Sequence, residues 1–142
     1  MTYATLNGLI SRYGEDVLLA VADRSSPPAG VVDAATVDRA LENADAVINA
    51  SLAVRYRLPL AETPAIVVDA AEAIAIYKLH RFAPDPKLQS EYEQAQRDLR
   101  DIANGTKKLE LAGVEPTGSG SGGVMAIDRE RPFTPENLRG FI

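Results

Sequence analysis

Val37, Leu41, Ala44, Ile48 and Leu52 recur at steps of three and four within residues 33–58. That spacing lines them up on one face of a helix with 3.6 residues per turn, whereas a strand would scatter them over both faces. Asp33 or Thr36 is placed to accept the unpaired N–H groups at its start. Pro59 sets the far limit, because proline biases the residue before it away from helix. A helix over residues 33–58 is a rod of roughly 36 Å. A helix so rich in small residues is not stable alone in water, so its apolar face requires neighbours.

The sequence supplies them on both sides. Thr5 starts a short helix, LNGLISRY, with Leu6, Leu9 and Ile10 on one side and Gly14 at its end, where glycine meets the least conformational cost. Glu15 and Asp16 open a second short helix at the positive end of its dipole, with Val17, Leu18 and Val21 as core candidates. RSSPPAG, residues 24–30, is a loop by composition. Beyond Pro59, Thr63 and Pro64 read as N-cap and first helical residue of PAIVVDAAEAIAIYKLHRF. Ile66, Ala70, Ala73 and Tyr77 form one stripe, with Val67, Ile74 and Leu79 beside it. The alanines let another backbone come close, so this is expected to be the most buried helix. Its β-branched residues favour strand, but the three-four spacing decides for helix. Asp85 and Pro86 repeat the cap-plus-proline pattern. Leu88, Tyr92, Ala95, Leu99 and Ile102 mark a last amphipathic helix, closed by Asn104–Gly105.

The fold class this predicts is all-α. It is a small bundle of about five helices, two short and three long, over residues 1–105. Residues 106–142 follow as a flexible linker and an extended C-terminal arm. TGSGSGG, residues 117–123, has the composition of a flexible chain. It lacks the preceding strand, the lysine and the following helix of a phosphate-binding loop. The last nineteen residues, 124–142, hold too little apolar surface to fold alone. Their Phe133, Leu138 and Phe141, with Arg129, Arg131 and Arg139, are nonetheless of types suited to a partner interface.

A chain of 142 residues with net charge −5 and pI near 4.9 is one domain without the basic face of a non-specific nucleic-acid coat. It has no cysteine, so disulfides and thiolate metal sites are excluded and a reducing compartment is expected. No secretory signal or membrane-spanning run is visible, and a soluble protein is expected. His80 is the single histidine and sits near a helix end, which suits capping better than metal binding or acid–base work. Glu91 with Glu93, and Asp98 with Asp101, pair carboxylates on the polar face of the last helix, where solvation is the expectation. No catalytic constellation, cofactor site or metal site is expected. Arg55, Arg57, Lys78 and Arg81 fall near the ends of two adjoining helices. Complementing the helix dipoles is the plain account, and a small basic patch facing DNA or an acidic partner is the functional one. The first two helices have helix-turn-helix spacing, but the second is apolar where a recognition helix carries base-reading side chains. A DNA-binding packaging or regulatory protein is therefore the alternative reading.

The order of parts is similar to a known family. YATLNGLISRYGEDVLLAVADR, ALENADAVINASLAVRYRLPL, PAIVVDAAEAIAIYKLHRF, YEQAQRDLRDIANG and RPFTPENLRGF together resemble the small Mu-like prophage proteins of the head–tail connector, or neck, group. The resemblance spans nearly the whole chain and rests on order and spacing rather than on one motif. It implies a helical adaptor that forms a homo-oligomeric ring between the portal protein and the tail or tail-terminator protein, with DNA passing through. It also implies contacts made partly by extended arms, a place in the virion neck, and the host cytoplasm before assembly. The TGSGSGG insertion departs from the family pattern.

Overall fold

The computed structural model describes residues 2–111, and these form five α-helices with no strand among them. They are α1 (Leu6–Tyr13), α2 (Glu15–Ala22), α3 (Ala34–Leu52), α4 (Ala65–Leu79) and α5 (Pro86–Asn104). The two-short, three-long order matches the apolar spacing. The caps match it as well. Thr5 accepts from the Gly8 N–H, Asp33 from Ala35 and Asp85 from Lys87, while Gly105 ends α5 at φ +81°. Glu15 and Asp16 lie in the first turn of α2.

Helix α4 is the centre of the bundle and touches α1, α3 and α5. Residues 70–76 are buried without a break, which a helix achieves only when neighbours cover it all round. Packing is antiparallel on both sides. Lys78 and Leu79 lie beside Thr36, Arg39 and Asn43 of α3, and Ile66 to Ala73 lie beside Glu91 to Asp98 of α5. Tyr77 of α4 and Tyr92 of α5 stack with ring centroids 3.9 Å apart. From α5, Ala95, Leu99 and Ile102 enter the core, with Leu88 and Tyr92 at its margin.

Three boundaries differ from the sequence reading. First, α3 stops at Leu52, not at residue 58. The N–H groups of Arg55 and Tyr56 both donate to the Leu52 carbonyl, at 3.0 and 2.8 Å, so the chain tightens and turns. Turning there returns Tyr56 and Leu60 to the core, each 5% exposed. A rod continued to residue 58 would overrun α4, whose 15 residues span only about 22 Å. Second, Pro64 is itself the N-cap of α4, one residue later than expected, with no side-chain cap bond from Thr63. Third, in α2 the expected core residue Val17 is 37% exposed, and Ala22 packs inside with Leu18 instead.

The packed body also continues past residue 105. Leu109 is buried, and its N–H donates to the Tyr56 hydroxyl at 2.9 Å. Residues 106–111 therefore strap across the end of α3 before the chain leaves the described region. Tyr56→Phe removes that buried acceptor and should destabilise the fold by about 1–3 kcal/mol. Urea unfolding should show the loss, and the Leu109 amide should exchange faster than its neighbours in α5.

Candidate functional site

Two surfaces gather polar chemistry. The first is where α1 crosses α4 and α5. Gly8 leaves room for the Glu72 carboxylate against α1: a Cβ there would lie 2.7 Å from Glu72 Oε1. One turn on, Arg12 reaches over α4, and its Nη1 donates to Glu72 Oε2 and to Asp69 Oδ1, both at 3.1 Å. Its Nη2 lies 3.8 Å from Glu91 Oε2, which also accepts from the Tyr13 hydroxyl at 3.0 Å. Burial works against the Arg12 charge, but the Glu72 hydrogen bond and the charges of Asp69 and Glu91 outweigh it, so the guanidinium holds its proton more tightly than usual. Burial, helped by Glu91 and opposed by Arg12, pushes the Tyr13 phenol well above its ordinary range.

This network lines a groove of about 220 Å³ floored by Ile66, Ala70, Ala73 and Ala95. Here the structure corrects the expectation of a solvated acidic face on α5. Glu91 is engaged by Arg12 and Tyr13, and Asp98 pairs with Lys107, leaving their side chains 25% and 18% exposed. Of the paired carboxylates, Glu93 stays at the surface, where it accepts from Gln89. Every acid of the Arg12 network has a structural partner, so its geometry joins helices. Among the described residues no group of three or more His, Cys, Asp or Glu side chains is placed to hold a metal ion.

On α3, Asp45 and Asn49 hold the N-terminal segment. The Tyr3 N–H donates to Asp45 Oδ1 at 3.0 Å, and the Tyr3 hydroxyl bonds Asn49 Oδ1. Burial raises the Asp45 carboxyl above its ordinary value, with the Tyr3 N–H partly offsetting it.

The second surface is cationic, and it is not the patch expected from sequence. Antiparallel packing sends Arg55 and Arg57 to one end of the bundle and Lys78 and Arg81 to the other. Arg55 lies against Gly105 at the end of α5, its Nη1 only 2.1 Å from where a Cβ would stand. Lys78 instead meets Arg24 and Arg39, and Arg81 lies with Arg24 and His80. Arg24 and Arg39 were missed because they are remote from Lys78 in the chain, and only the α3–α4 pairing brings them together. His80 caps α4, its Nδ1 donating to the Ile76 carbonyl at 2.8 Å. The exposed positions of α2 include Glu15 and Asp16, which repel phosphate. The arm residues Arg129, Arg131, Phe133, Leu138, Arg139 and Phe141 lie outside the described residues.

Comparison with known proteins agrees with the order of parts. The family described as "Bacteriophage Mu, Gp36" matches residues 3–127. The chain is 32% identical over 140 residues to the Mu-like prophage FluMu protein gp36 of Haemophilus influenzae, covering 99% of this chain and 98% of that relative. It is 28% identical over 142 residues to Gene product J of Escherichia phage Mu, covering 100% of both. The chain belongs to the bacteriophage Mu Gp36 family. Among the described residues no helix is long and apolar enough to cross a membrane.

Two substitutions test the polar anchors. Arg12→Met leaves the nearly buried Glu72 without its charged donor and should cost about 1–3 kcal/mol in urea unfolding. Asp45→Asn keeps the acceptor for Tyr3 and removes the charge. Because the folded carboxyl is raised, wild type gains stability as pH falls and loses it as pH rises through the folded value. The variant should therefore melt highest relative to wild type at neutral pH, with the difference shrinking as pH drops towards about 4. Melting curves across that range check the sign.

Proposed function

We propose that this chain is a structural adaptor of the phage neck. In this reading copies of it form a ring between the portal protein and the tail or tail-terminator protein, and DNA passes through the ring without being read by sequence. Its place is the virion neck, reached from the host cytoplasm, and it carries out no chemistry. One observation carries the reading. The helical body has its own core, running from Tyr3 to Leu109, and the chain then continues for 31 residues, 112–142, which bear Phe133, Leu138, Phe141 and three arginines. Membership of a Mu phage family supports the phage setting. An arm of that composition offers anchors for a neighbour rather than more core for its own body.

The energetics favour assembly. Each of Phe133, Leu138 and Phe141 buried on a neighbour contributes about 1.5–3 kcal/mol before ordering costs. A closed ring repeats the contact at each subunit, so modest pairs accumulate.

Deleting residues 117–142 should leave melting of the body nearly unchanged while abolishing assembly with portal or tail, read by light scattering. Phe133→Ala should weaken assembly more than it lowers the melting temperature of the isolated chain. Normal assembly by the truncated protein would remove the arm from the account.

A further inference from the structure

We propose that the end of the bundle where the 24–30 loop, α3 and α4 meet is a contact site for the phosphodiester backbone of DNA. The proposal rests on the ring reading only for bringing DNA to the protein, and it names the subunit surface that would meet it.

Arg24, Arg39 and Lys78 line one depression of about 140 Å³ with Asn43, and no carboxylate lines it. Arg24 also borders a second depression of about 280 Å³ with His80 and Arg81. The one acid there, Asp23, is already engaged, its two oxygens accepting the N–H groups of Ser25 at 3.1 Å and Gly30 at 2.7 Å. The cations thus form a row across two hollows.

Helix capping does not account for the row. Arg24 donates to the Leu79 carbonyl at 3.2 Å, and His80 takes the Ile76 carbonyl. With those carbonyls occupied, Arg39, Lys78 and Arg81 pair with no carboxylate among the described residues. Arg39 and Lys78 stand on α3 and α4 and Arg81 on the bend after α4, and their like charges gathered around shared hollows favour an anion. Hollows lined by charge of one sign concentrate the field and attract counter-charge.

A row is better met by evenly spaced phosphates than by one carboxylate. Arginine, lysine and asparagine are among the side chains drawn on for phosphate contacts. The net charge of −5 disfavours DNA contact over the chain as a whole, so a local gathering of cations is needed for it.

The test is fluorescence anisotropy of the full-length chain with a short labelled duplex at about 50 mM salt. Arg39→Ala and Lys78→Ala should each weaken binding several-fold and lower the salt slope by about 1. Arg39→Glu with Lys78→Glu should abolish binding, and Arg57→Ala, at the opposite end, should leave it unchanged. The exposed positions let circular dichroism melts confirm folding. No binding by wild type, or equal loss with Arg57→Ala, overturns the proposal. Full displacement by inorganic phosphate at equal phosphate concentration overturns it too, since the site would then take the free ion. Displacement of the duplex by polyglutamate at matched charge points to an acidic protein partner and has the same force. Light scattering of the same variants separates the two readings. Assembly retained without DNA binding supports the site, whereas assembly lost with Arg39→Ala makes this surface a subunit contact and sinks it. Wild type that assembles but binds no duplex removes the site and leaves the ring intact.

Discussion

The body is organised around α4, which α1, α3 and α5 cover. Over residues 70–76 this helix is buried on every side and has no polar face to give to water. One flanking helix cannot enclose it, and α3 and α5 together leave a side open. The short α1 closes that side, which is why a chain of this size begins with two helices too short to be stable alone. The same closure fixes how Glu72 must be treated. An acid inside a covered helix needs a charged donor, or it becomes an uncompensated charge. Arg12 brings that donor from α1, and Gly8 leaves the space that the Glu72 carboxylate occupies against α1. Glycine in a helix interior costs about 0.5–1 kcal/mol relative to alanine, and the carboxylate seated there gives that cost a reason.

The elements were legible because their signals were local. Caps at Thr5, Asp33 and Asp85, the glycine at 105 and the three-four stripes of α3, α4 and α5 depend on residues within one or two turns of each other. What was not legible depends on residues far apart. Nothing near Leu52 shows that α3 must stop there. The reason is Tyr56, which has to meet Leu109, 53 residues on. Glu91 and Asp98 look like surface acids on a helical wheel because Arg12 and Lys107 are not on that wheel. Arg55, Arg57, Lys78 and Arg81 all lie near helix ends, but which ends adjoin is set by antiparallel packing, and it divides them. Val17 and Ala22 show the weakest local signal, a short apolar helix with no clear polar side to orient it.

Charge is therefore sorted by position rather than by amount. The acids of α4 and α5 that face α1 are used internally, by Arg12, Tyr13 and Lys107. Among the described residues Arg39, Lys78 and Arg81 pair with no carboxylate, while Arg24 donates to the Leu79 carbonyl. A net charge of −5 is an average over these two conditions, and it conceals a cationic end that only the fold assembles. Screening limits exposed charges to about 8–10 Å at physiological salt, so a partner at that end responds to Arg24, Arg39, Lys78 and Arg81 more than to the acids at the far end of the bundle.

The point where the chain leaves the body completes the geometry. Leu109 is tied to Tyr56 just beyond the C-terminus of α3, while Lys78 lies beside the first half of α3. With 19 residues, α3 separates those positions by most of about 28 Å. The described chain ends at one end of the bundle, and Lys78 lies with Arg24 and Arg39 at the other. Tension on the chain beyond residue 111 would meet the strap at Leu109 first, where a buried hydrogen bond and a buried leucine resist it. At that separation, more than twice the screening length of about 8–10 Å, the charge of the cationic end exerts little pull on the strap.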